Sequence, residues 1–78
     1  MIYFVRIWLS NGDNLHDKVF HFKKSFPEDA AEQEINEYFQ NTYQNLYDAF
    51  FSIYEPPKDG GNYCGWKYIS QSEYEMLI

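Results

Sequence analysis

Three side chains in the sequence have the chemistry that nucleophilic catalysis requires: the thiol of Cys64 and the imidazoles of His16 and His21. Such catalysis needs a nucleophile, a base and a group that orients the base. Cys64 lies in an aromatic stretch, where a buried and unreactive thiol is the usual role of cysteine. His21 alternates with Val19 and Lys23, so we expect it on the exposed face of a strand. The sequence therefore predicts no catalytic residues.

The same two histidines are the best metal ligands in the chain. They stand on either side of the junction between a loop and a strand, with Asp13 and Asp17 close to them in sequence. Dedicated metal sites place their ligands at characteristic short spacings, which this segment lacks. The glycine pair 60–61 lacks the lysine and the strand-to-helix context of a phosphate-binding loop. We therefore predict no metal and no cofactor.

Acidic residues are the most prominent polar feature of the chain. It has 78 residues and a net charge of −6, and residues 25–57 hold seven acids without a lysine or arginine. Pairs such as Glu32 and Glu34 need an enclosed pocket for acid–base catalysis, and a chain this short rarely forms one. The negative charge also opposes binding to nucleic acid or to an anionic membrane. We therefore predict a protein that is not an enzyme and that binds another protein.

Hydrophobic periodicity predicts the elements that would position these acids. Residues 2–9 and 18–24 are rich in β-branched and aromatic side chains and predict two strands of a hairpin. Ser25 and Glu28 have the spacing of a capping box, with serine as the N-cap. Apolar residues then recur at helical spacing, so we expect a helix from Ser25 to about residues 44–45.

The second half of the chain predicts two more strands, over residues 46–55 and 63–69. A second capping pattern, from Ser70 to Glu73, predicts a short C-terminal helical turn. The expected fold is therefore a single α+β domain over residues 1–78, in the order β-β-α-β-β. Its four-stranded, mainly antiparallel sheet would carry one helix packed on one face.

The predicted helix offers a face of carboxylates and amides, which a basic protein surface would complement. Charge complementarity of this kind steers encounter and selects the partner. The alternative is that the face only keeps the protein in solution, which is the commoner role of such a run. The predicted partner-binding residues are Asp29, Glu32, Glu34, Asn36, Glu37, Gln40 and Tyr43.

The aromatic content suggests a second surface. Phenylalanine, tyrosine and tryptophan make up 22% of the chain, more than a core of this size readily absorbs. One face of the predicted sheet would be unusually apolar, and such faces commonly form contacts. As an alternative function, the chain would be a homo-oligomeric structural or accessory module, such as a homodimer, that uses this face. The candidate oligomer residues are Phe4, Arg6, Trp8, Phe50 and Tyr54.

In size, acidity and lack of catalytic motifs, the chain resembles the small acidic inhibitors made by phages and mobile elements, including anti-CRISPR and DNA-mimic proteins. These proteins share no common fold or signature, so the resemblance assigns no residue a role. It implies an inhibitor that occupies the basic, nucleic-acid-binding site of a partner. With no signal peptide and no membrane-length apolar run, we expect the cytoplasm, that of the host cell for a phage protein.

Overall fold

The computed structural model describes residues 1–76 and shows a small α+β fold. A three-stranded antiparallel sheet, in the order β2-β1-β3, carries a long helix, α1, on one face. A short helix, α2, packs against the other face. The elements in chain order are β1 (Ile2–Leu9), β2 (Lys18–Ser25), α1 (Glu32–Ile53), β3 (Gly65–Ile69) and α2 (Gln71–Glu75).

β1 is the central strand, and its alternating side chains build the core. Val5, Ile7 and Leu9 lie buried beneath α1, since successive residues of a strand point to opposite faces. In the hairpin with β2, Val5 pairs with Phe22 and Ile7 with Phe20, which adds two rings to the same face. The predicted hairpin is thus confirmed.

The predicted start of the helix is wrong. Ser25 belongs to β2, and the backbone of Phe26 bonds to that of Met1, which continues the extended pairing past Ser25. The phenyl ring of Phe26 is buried in the core. α1 begins at Glu32, and its N-cap, Ala31, offers no side-chain hydrogen bond. Ser25 cannot cap a helix while it pairs as a strand residue.

The predicted third strand, residues 46–55, is also wrong, because α1 continues through Ile53. The sheet therefore has three strands and not four. Helical spacing places Phe39, Leu46 and Phe50 on one side of α1, where Phe39 and Phe50 are buried against the sheet. The last predicted strand is confirmed in a shorter form as β3.

A glycine on β3 makes room for a large ring on β1. Gly65 pairs with Trp8 in the β1–β3 ladder. A Cβ atom on Gly65 would lie 2.5 Å from Cζ2 of Trp8, far inside the normal contact distance. The indole therefore occupies the space that a larger residue at position 65 would need.

The predicted C-terminal helical turn is confirmed as α2. The hydroxyl oxygen of Ser70 accepts a hydrogen bond from the backbone N–H of Glu73 at 3.1 Å, as an N-cap does. The ring of Tyr74 packs on Phe4, with the ring centroids 5.0 Å apart. α2 thus covers part of the sheet face that α1 leaves free.

Replacing Ser70 with alanine is expected to destabilise α2 by about 1 kcal/mol, because the Glu73 amide loses its acceptor. Hydrogen exchange at that amide should accelerate, and Ser70→Asp, which keeps an acceptor, should retain the protection. Unchanged exchange in Ser70→Ala would show that the cap does not hold α2.

Candidate functional site

Three of the seven residues predicted to bind a partner contact the sheet or the core. Two of them bond to rings of β3: Asn36 Oδ1 accepts from the hydroxyl of Tyr68, and Gln40 Oε1 accepts from Trp66 Nε1 at 2.9 Å. Tyr43 is half-buried and packs against the core, and burial is the main reason that its pKa is raised above the ordinary value. These three residues hold α1 on the sheet.

The other four predicted residues are exposed carboxylates at the N-terminal end of α1. Asp29 lies in the turn before the helix, and Glu32 and Glu34 lie in its first turn. Glu37 follows one turn later and accepts a hydrogen bond from Gln33 Nε2 at 2.9 Å. Together with their neighbour Glu28 they form a group that we name the acidic end: Glu28, Asp29, Glu32, Glu34 and Glu37.

The negative charge of the acidic end is not neutralised locally. In the described residues, 1–76, the one ion pair joins Arg6 to Glu73 at 3.3 Å, on the sheet face opposite α1. Lys24 instead places its Nζ over the rings of Phe26 and Tyr38, 5.9 and 5.3 Å from their centroids. The field of the acidic end therefore extends into solvent, over a screening length of about 10 Å at 0.1 M salt.

The acids are also placed where the helix favours them. The first four N–H groups of an α-helix lack partners within the helix and give its N-terminus a partial positive charge. Ala31 provides no side-chain cap, and Glu32 and Glu34 place negative charges in the first turn. The acidic end is thus compatible with a stable α1.

A cleft of about 420 Å³ opens at the same end of the molecule, between the start of α1 and the sheet. Tyr3, Ala30, Ile35 and Tyr68 line it, together with the ends of β1 and β3 at Ile2, Phe4 and Ile69. Glu32 places a carboxylate in the lining, beside the amide of Asn36. The sequence alone does not reveal this cleft, because the cleft depends on how the ends of β1 and β3 meet α1.

The hydroxyl of Tyr68 marks the polar side of the cleft. Burial, followed by electrostatic interaction with Tyr3 and Glu32, raises the pKa of Tyr68 above its ordinary value. The phenol is protonated at neutral pH, as an ordinary tyrosine is, and donates its proton to Asn36 Oδ1. Its oxygen keeps lone pairs that can accept a further hydrogen bond.

On the other sheet face, a polar network holds α2 in place. Arg6 Nε donates to His21 Nε2 at 3.0 Å, and His21 Nδ1 lies 3.0 Å from the backbone oxygen of Tyr74. Because Nε2 accepts, the neutral ring carries its proton on Nδ1 and donates it to Tyr74. Arg6 also reaches Glu73. His21 thus has a structural role between the sheet and α2.

The predicted oligomer residues are divided between the two sides of the sheet. Phe4, Arg6 and Trp8 do share the face opposite α1, where α2 covers part of it. Phe50 and Tyr54 were placed there by the strand that is in fact helical. Phe50 lies on α1 and is buried against the sheet, and Tyr54 packs on it with ring centroids 4.7 Å apart.

The other residues considered for catalysis also make internal contacts. The sulfur of Cys64 lies 3.4 Å from both the backbone nitrogen and the backbone oxygen of Ser10. The ring of His16 stacks on Tyr54 at 4.2 Å. Within residues 1–76, no three or more His, Cys, Asp or Glu side chains are grouped so that they could hold a metal.

A second cleft, of about 410 Å³, lies between the β1–β2 loop and the loop that leads into β3. Its polar groups mostly bond to each other. Asn11 Nδ2 donates to the backbone oxygen of Glu55 at 3.2 Å. The hydroxyl of Tyr63 donates to Asp59 and is the main reason that the pKa of this carboxyl is lowered. These contacts stabilise the loops.

Comparison with known proteins yields no relative. No protein family, no curated protein and no solved structure matches the chain. Over the 76 described residues, neither helix combines the length and the apolar character needed to cross a membrane.

Proposed function

We propose that this chain is a non-enzymatic binding protein whose acidic end covers a basic, nucleic-acid-binding site on a partner protein. The observation that supports this proposal is the concentration of five carboxylates between Glu28 and Glu37, with no ion pair to a lysine or arginine in the described residues. As a phage or mobile-element inhibitor, the protein would act in the cytoplasm of the host cell.

The charge distribution favours such a partner. Five of the six basic residues lie in the hairpin or on β3, and α1 has none; the five are Arg6, Lys18, Lys23, Lys24 and Lys67. A basic surface on the partner would be attracted to the acidic end, because opposite charges across an interface steer the two molecules together. Lysines and arginines that normally contact phosphates would then contact carboxylates.

The partner-binding test reverses three charges of the acidic end, with Glu32, Glu34 and Glu37 all changed to lysine. We expect this variant to lose at least about 100-fold in affinity, because three attractive contacts become repulsive. The partner is first captured from nuclease-treated lysate of the native host, and affinity is then measured with the purified partner by calorimetry. Duplex DNA or RNA that the partner binds should compete with the wild-type protein.

A matched control changes three exposed acids elsewhere, Asp48, Glu55 and Glu75, to lysine. It alters the net charge equally, so we expect only a small loss of affinity, through the long-range field. Equal losses in both variants would show that the acidic end has no special role. Full affinity of the first variant, or no competition by nucleic acid, would overturn the proposed function.

The homo-oligomeric module remains the alternative proposal. Ile2 and Val19, which are 58% and 46% exposed, extend the sheet face beside Phe4 and Trp8. α2 covers part of that face, which leaves less apolar surface for a second copy. Sedimentation equilibrium at micromolar concentration separates the two ideas, since a strict monomer removes the alternative.

A further inference from the structure

We propose that the cleft at the acidic end receives an arginine side chain of the basic partner. This inference rests on the proposed function and names the group that the site would recognise. The cleft joins an apolar lining to one carboxylate, Glu32, and therefore fits a ligand with an aliphatic stem and a cationic head.

The apolar part of the cleft suits the stem of the side chain. Beside the buried Ile35, Ala30 contributes a methyl group, and the rings of Tyr3 and Tyr68 lie 6.0 Å apart on the side of the sheet that α1 covers. Long basic side chains bury their methylene groups along such surfaces and keep the charged head near water. A volume of about 420 Å³ lies within the range of ligand-binding clefts and leaves room for one such side chain.

The polar part of the cleft suits a guanidinium group better than an ammonium group. A guanidinium has five N–H donors in a plane, so it can bond to several acceptors and stack on a ring. The Glu32 carboxylate and the Tyr68 oxygen are acceptors in the lining, which also includes the aromatic residues Tyr3 and Tyr68. A lysine ammonium would use the carboxylate but not the planar geometry.

The N-terminus of α1 does not counteract this preference. Its exposed N–H groups favour anions, but Glu32 and Glu34 place negative charges in the same first turn. An ion pair at the edge of an apolar cleft is less screened than one on an open surface. Binding of a cation there would therefore depend on the carboxylate of Glu32.

The test is an NMR titration of the full chain with Nα-acetyl-arginine methylamide as the probe. We expect localised shifts of the amides of Ile2, Ile35 and Ile69. The corresponding citrulline derivative has the same shape and no charge, and should bind at least about fivefold more weakly. Equal binding of the two probes, or no localised shifts up to tens of millimolar, would overturn the inference.

Two variants identify the group that is responsible. Glu32→Gln removes the carboxylate from the cleft and should weaken binding of the arginine probe at least about fivefold. Glu34→Gln removes an equal charge from the same helical turn but outside the lining, and should leave binding nearly unchanged. Each variant is first checked for a native amide spectrum. Equal effects of both variants would reduce the site to diffuse charge and would overturn the inference.

The outcomes separate this inference from the function on which it rests. The arginine probe could fail to bind while the partner still loses affinity when Glu32, Glu34 and Glu37 are reversed. That result would exclude the cleft as an arginine site and would keep the acidic end as the partner-binding surface. If the probe binds the cleft while the partner ignores the charge reversal, the proposed function fails. The cleft would then bind arginine from a ligand other than the proposed partner, so the inference about the partner's arginine would also be wrong.

Discussion

Replacing Phe50 with alanine is expected to lower the free energy of unfolding by about 3–5 kcal/mol. Its side chain is 5% exposed and packs with Ile7 and Leu9 beneath α1, so truncation opens a cavity in the core. A domain of this size has a total stability on the order of 5–10 kcal/mol, so the variant would be close to unfolding. Urea denaturation followed by circular dichroism measures the change.

The control for this prediction is Ile53→Ala, three residues further on. Ile53 is 74% exposed, so its truncation should change the free energy of unfolding by no more than about 0.5 kcal/mol. If residues 46–55 formed a strand, truncating Ile53 would cost more free energy of unfolding than truncating Phe50. Ile53 would then lie with Phe51 on the inner face of the strand, and Phe50 would point away. A larger loss for Ile53 than for Phe50 would therefore contradict the helix.

Replacing Gly65 with alanine is expected to cost about 1–3 kcal/mol, because the new methyl group must displace the indole of Trp8. The backbone of Gly65 does not have a positive φ, so an alanine there meets no conformational strain. Only Gly12 and Gly60 have positive φ among the glycines of the described residues, 1–76. The loss should therefore come from the ring alone.

A double-mutant cycle tests this explanation. In a Trp8→Ala background the indole is absent, so Gly65→Ala should be neutral or should stabilise by up to about 1 kcal/mol, as alanine restricts the unfolded chain. The sign of the effect thus changes with the residue at position 8. If Gly65→Ala costs the same in both backgrounds, contact with Trp8 is not the reason that glycine occurs at this position.

The sequence predicted well those parts of the fold that are determined by the spacing of residues close together in the chain. The period of two in residues 2–9 placed Val5, Ile7 and Leu9 together, and the structure buries all three. Ser70 predicted the start of α2, because its hydroxyl needs only the N–H of Glu73 three residues later. In both cases the deciding contacts are close in sequence or repeat along one strand.

The errors came from segments whose structure depends on distant residues. Ser25 and Glu28 have the spacing of a capping box, but pairing with β1 keeps Ser25 extended. Residues 46–55 contain four aromatic side chains and one isoleucine, residue types that favour strands by propensity. Contacts of Phe50 with Ile7 and Leu9 instead stabilise the helix. Tertiary packing overrides a weak local preference in both places.

The candidate site was predicted in part, for the same reason. Counting charges was enough to predict the exposed acids Asp29, Glu34 and Glu37. It could not show that Asn36 and Gln40 bond to Tyr68 and Trp66, because these rings reach α1 only when β3 joins the sheet. The cleft beside Glu32 depends on the same arrangement.

The strand order has a consequence for how the chain folds. β1 pairs with β2 through a short loop, but its pairing with β3 joins residues about 60 positions apart, such as Ile7 and Trp66. Closing a long loop costs entropy before any contact is gained, so long-range pairing slows folding. The hairpin can form early. β3 can pair with the free edge of β1 only after α1 has brought the chain back to the sheet. Refolding should therefore be limited by the arrival of β3, and α2, which follows it directly, should dock last.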